Sequence, residues 1–233
     1  MSASTEPVPN RVLAALSPSS RRRLHLVPVT LVHGRVLYEQ NSLVRHVYFP
    51  GGSLVSLLTI IDSARGLEVG MVGSEGVVGL SVGMGFGRSP VRALVQGGGP
   101  ALRTTAERFN SELRRDRRLQ SEVARCAHVS MATAMRVSGC NNTHDVPSRL
   151  ARWLLMTRDR VASAELPLTQ HFLAQMLGIQ REGVSKAAGA LRRRRLISYS
   201  RGRIRILDLG RLRAAACSCY EAIRGLEAAK GRL

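Results

Sequence analysis

Residues 166–207 read LPLTQHFLAQMLGIQREGVSKAAGALRRRRLISYSRGRIRIL, and this stretch decides the fold of the C-terminal part of the chain. Thr169 is a good N-cap hydroxyl for a short helix, on which Leu173, Ala174 and Leu177 share one side. Gly178 breaks that helix, because a left-handed turn residue is free of the Cβ penalty only when it is glycine. Gln180 restarts the chain as a second helix with Val184, Ala187, Ala188 and Leu191 on its apolar face. Ala174 supplies the small side chain that two steeply crossing helices need at their contact. The opposite face of the second helix carries Arg181, Glu182, Ser185 and Lys186. Arginine pairs bidentately with guanine O6/N7, and glutamate accepts from cytosine N4. Arg192 to Arg195 follow, then Leu196 and Ile197, a turn at Gly202, and the alternating run Ile204 to Leu207. The reading is a helix-turn-helix with a two-stranded wing. Its expected DNA-facing residues are Thr169, Gln180, Arg181, Glu182, Ser185 and Lys186, with Arg201 and Arg203 from the wing.

Composition points to the same partner. The chain has 233 residues and a formal net charge of +19, and Lys186 and Lys230 are its only lysines. A charge of that size favours a polyanion, with nucleic acid ahead of an anionic membrane surface. Aromatic residues make up 4%, too few for a stacking surface that reads single-stranded RNA. No run of eighteen apolar residues occurs, so no membrane-spanning helix is expected. The N-terminus lacks the pattern of a secretory signal, and the expected location is the cytoplasm. Cys126, Cys140, Cys217 and Cys219 are expected as reduced thiols there.

Between residues 28 and 105 the texture is that of short β runs separated by glycines, which indicates a small β-barrel or sandwich. From Ala106 to about Cys140 nothing breaks helix. Along it Leu119, Val123, Cys126, Ser130, Thr133, Val137 and Cys140 recur at alternating fours and threes, the spacing of a heptad seam between two copies of the chain. Gly139 to Asp145 reads as a hinge. Asp145, with Pro147 in the first turn, starts a helix over Ser148 to Arg160, whose Trp153 is the expected core anchor of the domain that follows.

In this order the sequence resembles the Crp/Fnr family of bacterial transcription regulators, and the resemblance spans nearly the whole chain. Val36 to Glu39 and Val47 to Ser56 resemble the family's first β-roll strands, and Glu68 to Gly79 its central hairpin. Arg149 to Leu155 resemble the helix that opens the DNA-binding domain. Gln180 to Lys186 resemble the recognition segment, and the resemblance assigns guanine and cytosine contacts to Arg181 and Glu182. The implied fold is α+β: an N-terminal double-stranded β-helix (a cyclic-nucleotide-binding-like β-roll or jelly roll), a long dimerisation helix, and a C-terminal winged helix-turn-helix. The expected domains are 1–106, 107–144 and 145–233. The implied partners are double-stranded DNA, a second copy of the chain and, if the protein activates, RNA polymerase. Any small-molecule effector is unidentified.

Cyclic-AMP-binding members carry Gly-Glu-Leu followed by Arg-Ser about ten residues on. Arg88 and Ser89 match the second element and are the candidate ligand residues. The first reads Gly79-Leu80-Ser81, and an apolar leucine cannot accept a ribose hydroxyl, so no cyclic nucleotide is expected. No cysteine precedes Cys126, which removes the ligands of the family's N-terminal iron–sulfur cluster. Cys217 and Cys219 fall in an expected final helix over Leu209 to Leu226, where residues two apart point different ways. Neither a metal site, nor a cofactor, nor a catalytic constellation is expected, and the chain reads as a non-enzyme. The alternative is a non-specific, charge-driven DNA-coating protein.

Overall fold

The structure, a computed structural model, describes residues 9–62, 65–161, 163 and 165–229; the expectations for residues 1–8 lie outside them. The first elements are α1 (Arg11–Ala14), α2 (Pro18–Arg23), β1 (Val27–Leu31), β2 (Val36–Tyr38), β3 (His46–Pro50), β4 (Leu54–Asp62) and β5 (Arg65–Val72). They are followed by α3 (Leu80–Gly83), β6 (Arg92–Gly97), β7 (Gly99–Thr105), α4 (Ala106–Leu113), α5 (Arg117–Thr143) and α6 (Val146–Val161). The last are β8 (Glu165–Pro167), α7 (Gln170–Leu177), α8 (Arg181–Arg193), β9 (Ile197–Ser200), β10 (Arg203–Ile206), α9 (Leu209–Ala215) and α10 (Cys219–Ala228). The chain forms two units, Met1–Leu57 with Met71–His128, and Leu58–Gly70 with Val129–Leu233.

The first unit is the β-roll. One sheet has the order β1-β7-β3 and the other β2-β6-β4-β5, the tip of the β4–β5 hairpin belonging to the second unit. Leu31, Tyr48, Val55, Val72, Val78, Ala93, Val95 and Ala101 fill the space inside the roll. Strand β3 shows why the sheet orders itself this way. Tyr48 points into that interior, while Val47 and Phe49 point to a second cluster formed with the helices, as the period-two alternation of a strand requires. That second cluster takes in Val12, Leu24, Val77, Val82, Phe109, Leu119, Val123 and Cys126.

The long helix differs from its expected course at both ends. It is interrupted after α4, because the Asp116 carboxylate accepts from the amides of Arg118 (2.7 Å) and Leu119 (3.2 Å) and so caps a new start. It then runs past the expected hinge to Thr143, leaving only His144 and Asp145 before α6. The expected partner-facing seam is also corrected in part. Leu119, Val123 and Cys126 are buried in the roll's own helical cluster, so in this fold they meet their own chain. Thr133 and Val137 are buried in the single chain as well, and Ser130 is half-buried.

The second unit is built on α6. Leu150, Trp153, Leu154 and Leu155 of α6 are buried along with Leu173 and Leu177 of α7 and Val184, Ala187 and Leu191 of α8. A fully buried leucine contributes roughly 1.5–3 kcal/mol, so this apolar set holds the three helices together. The Trp153 indole N–H donates to Glu68 Oε1 at 2.7 Å, and its ring meets Phe172 edge-on at 6.3 Å. The wing has three strands where two were expected, in the order β8-β10-β9. Glu165, Leu166 and Pro167 pair with Arg205, Ile204 and Arg203. A three-residue strand ending in proline is too short to carry an alternation signal. The expected final helix is divided into α9 and α10, with Ala216 extended at ψ 151° between them.

Candidate nucleic-acid interface

Thr169 Oγ1 accepts from the Phe172 amide at 3.1 Å and caps α7, as its position implies. Gly178 ends α7 at φ +65°, where the Ile179 amide returns to the Ala174 carbonyl at 3.0 Å. That closing bond forms only with the left-handed turn, and glycine adopts it without strain. A Cβ here would also fall 2.6 Å from Leu67 Cδ1, so the turn is packed as well as tight. Gln180 then occupies the N-cap of α8 in an extended conformation.

Helix α8 divides cleanly. Val184, Ala187, Ala188 and Leu191 are buried, whereas Arg181, Glu182, Ser185 and Lys186 are all exposed on its other side. The first two turns therefore present two cations, one carboxylate and a hydroxyl to solvent, backed by a fixed core. Thr169, Arg181, Arg192 and Arg201 line one open cleft between the helix and the wing.

The wing tip is a two-residue turn, since Ser200 pairs directly with Arg203. Arg201 and Gly202 both have positive φ, 48° and 72°. A turn of that type prefers Asn or Gly at both places. An arginine in the left-handed region is strained, and here the strained position holds an exposed guanidinium at the tip. Arg203 is engaged with Glu165 Oε1 at 3.1 Å on the wing surface, with both side chains largely exposed.

The two candidate ligand residues sit in different surroundings. Arg88 is exposed and donates to the Asn41 carbonyl at 2.6 Å. Ser89 is buried and donates to the Val91 carbonyl at 2.7 Å. Burial pushes the Tyr38 phenol far above its ordinary value. Gly79, at φ +105°, opens the short helix α3, whose first residues are Leu80 and Ser81. The Glu75 carboxylate is turned back onto the Gly73 amide at 3.0 Å.

One group escaped the sequence reading. The break between α9 and α10 lets Cys217 and Cys219 converge instead of diverging, and they meet Cys140 and His144 from the end of α5. Cys140 Sγ lies 3.5 Å from Cys217 Sγ, and Cys219 Sγ lies 3.8 Å from His144 Nδ1. The hydrogen bond from Cys217 holds the Cys140 thiol far below its usual range and raises Cys217. The available signals were the i, i+4 spacing of Cys140 and His144 on one helix and the Cys-Ser-Cys run. The two are 77 positions apart, and only the fold joins them.

The winged helix-turn-helix follows a β-roll in one chain, and comparison with known proteins places both parts. Residues 148–215 match the Crp-like helix-turn-helix domain family. No curated protein sequence matches the chain significantly. Among solved structures, a putative Crp/Fnr family regulator from Eubacterium rectale aligns at TM-score 0.70 and 17% identity, over 88% of this chain and 97% of the other. A Crp/Fnr family regulator from Thermus thermophilus aligns at TM-score 0.66 and 23% identity, over 82% and 98%. The c-di-GMP-responsive global regulator CLP from Xanthomonas campestris aligns at 0.67 and 16% identity, over 82% and 100%. The chain thus carries a Crp-like helix-turn-helix domain and has the fold of the Crp/Fnr regulators. No helix among the described residues is long and apolar enough to cross a membrane.

Proposed function

We propose that the protein is a homodimeric, sequence-specific transcription regulator that binds an inverted repeat in the cytoplasm. The observation that carries this reading is the front of α8, where Arg181, Glu182, Ser185 and Lys186 are exposed over a buried apolar face. Arg181 and Glu182 are the base readers. Thr169, Gln180, Ser185 and Lys186 support them, and Arg201 and Arg203 reach phosphates from the wing. Two such helices in a two-fold dimer would meet half-sites roughly 34 Å apart. RNA polymerase is a further partner if the protein activates.

Arg181→Ala is expected to cost about 1–3 kcal/mol at one guanine position and to relax discrimination there. Binding assays on the operator and on each single-base variant check this. Equal weakening on every sequence would reduce Arg181 to a phosphate contact.

The dimer face we assign lies opposite the buried side of α5. Ala124, His128, Met131, Met135 and Ser138 follow the same four-three spacing and are all exposed. Met131 and Met135 are 54% and 66% exposed, unusual for methionine on a surface that stays wet. The nearby charged residues Glu122 and Arg125 pair with each other on a different side of the helix. A second copy is the occupant, because an inverted repeat demands a two-fold protein.

The β-roll is a sensor for something other than a cyclic nucleotide, or a sensor no longer in use. Calorimetric titration with cyclic AMP or cyclic GMP is expected to give no saturable heat up to millimolar ligand. Saturable micromolar binding would show that another group replaces the missing carboxylate and that Arg88 leaves Asn41 to neutralise the phosphate.

The charge of +19 also fits a non-specific DNA coater. That protein would give diffuse protection and binding that depends on salt alone, whereas the proposed regulator protects one discrete palindrome.

A further inference from the structure

We propose that Cys140, His144, Cys217 and Cys219 form a closed tetrahedral site for one thiophilic divalent ion, zinc being the best fit. Four potential ligand atoms, three Sγ and one imidazole nitrogen, lie within 4.8 Å of one another. Zinc–sulfur bonds of about 2.3 Å and zinc–nitrogen bonds of about 2.0–2.1 Å place tetrahedral ligands roughly 3.5–3.8 Å apart. The 3.5 Å and 3.8 Å separations already meet that spacing. An iron–sulfur cluster with one thiolate per iron spreads its sulfurs wider than a single shared ion does. Three soft sulfurs with one imidazole select zinc over the hard cations, and four protein ligands leave no open position for catalysis.

The surroundings supply a second, independent argument. Arg149 and Arg152 of α6 are 6% and 3% exposed, and the Nε of each has no hydrogen-bond partner. Their other hydrogen bonds go to neutral groups: Arg149 donates to the Asn141 and Leu177 carbonyls, and Arg152 to Met156 Sδ. No carboxylate among the described residues forms an ion pair with either. Both guanidiniums interact electrostatically with Cys140. Buried cations without a counter-charge are strongly unfavourable. Zinc held by three thiolates and a neutral imidazole carries a net charge of −1 and supplies the missing anion. Binding releases the thiol protons as the sulfurs coordinate, with no change of oxidation state. The ion would tie the last turn of α5 to the α9–α10 junction, next to the start of the DNA-binding helices.

The test uses the full-length protein purified under reducing conditions. Elemental analysis is expected to find about one zinc per chain, and metal-free protein titrated with Co2+ is expected to show thiolate charge-transfer and tetrahedral d–d bands saturating at one equivalent. Cys217→Ser and His144→Ala should each reduce the bound metal to roughly a tenth or less, while Cys126→Ser, remote in the roll cluster, should leave it unchanged. The Co2+ spectrum of the unaltered chain stands even if a variant misfolds. An absence of tetrahedral Co2+ bands would overturn the proposal. So would an iron–sulfur absorption spectrum, or a Cys140–Cys217 disulfide in the reduced preparation.

Discussion

Met131→Asp combined with Met135→Asp is expected to make the protein monomeric in analytical ultracentrifugation and to weaken binding to a full inverted repeat by roughly 10²–10⁴-fold. Both methionines are more than half exposed in the single chain, so the substitution leaves the fold of each chain intact. In a dimer the same side chains are covered, and an unpaired carboxylate there is strongly unfavourable. The loss on DNA follows because the second half-site is engaged at the high effective concentration that the dimer provides. Circular dichroism should match the parent protein. Val123→Asp makes the contrast: Val123 belongs to the helical cluster of the roll, so a charge there should unfold the roll rather than separate two chains. A double-aspartate variant that stays dimeric would move the interface away from this stripe.

Trp153→Ala is expected to destabilise the DNA-binding unit by about 3–5 kcal/mol. The ring is 1% exposed, packs edge-on against Phe172, and donates to the buried Glu68 carboxylate at the hairpin tip. Truncation removes a large apolar volume together with a buried hydrogen bond. Thermal melting should fall by roughly 10 °C or more. Trp153→Phe separates the two contributions: it keeps most of the volume and loses the N–H, with an expected cost of about 1–3 kcal/mol. A change below about 0.5 kcal/mol for the alanine variant, typical of surface positions, would contradict the core role of Trp153.

The helix-turn-helix was legible because each of its parts is local. Thr169, Gly178 and the Val184–Leu191 stripe are decided within one or two helical turns, and the structure places each as its chemistry demands. The strands of the roll were legible for the same reason, through alternation and glycine punctuation. What the sequence hid is non-local. The spacing of Leu119, Val123 and Cys126 reads identically whether a helix packs on its own sheet or on a second copy, and only the folded roll decides in favour of its own sheet. The short strand β8 gains its identity from pairing with β10. The Trp153–Glu68 bond spans 85 positions, and the Cys140–Cys217 contact spans 77. The break after α4 was nearer to hand, since Asp116 is a capping residue set among arginines that otherwise read as a continuous solvated helix face.

In the proposed complex two copies of α8 read base edges in a two-fold arrangement. Selection of bound duplexes from a random pool, with the full-length protein at physiological salt, tests it most directly. The expected result is enrichment of one inverted repeat whose half-sites are centred about one helical turn apart, with a guanine in each half-site whose preference disappears when Arg181 is replaced by alanine. A pool that remains random after several rounds, while still binding tightly at low salt, would contradict it and leave a DNA-coating protein driven by its charge alone.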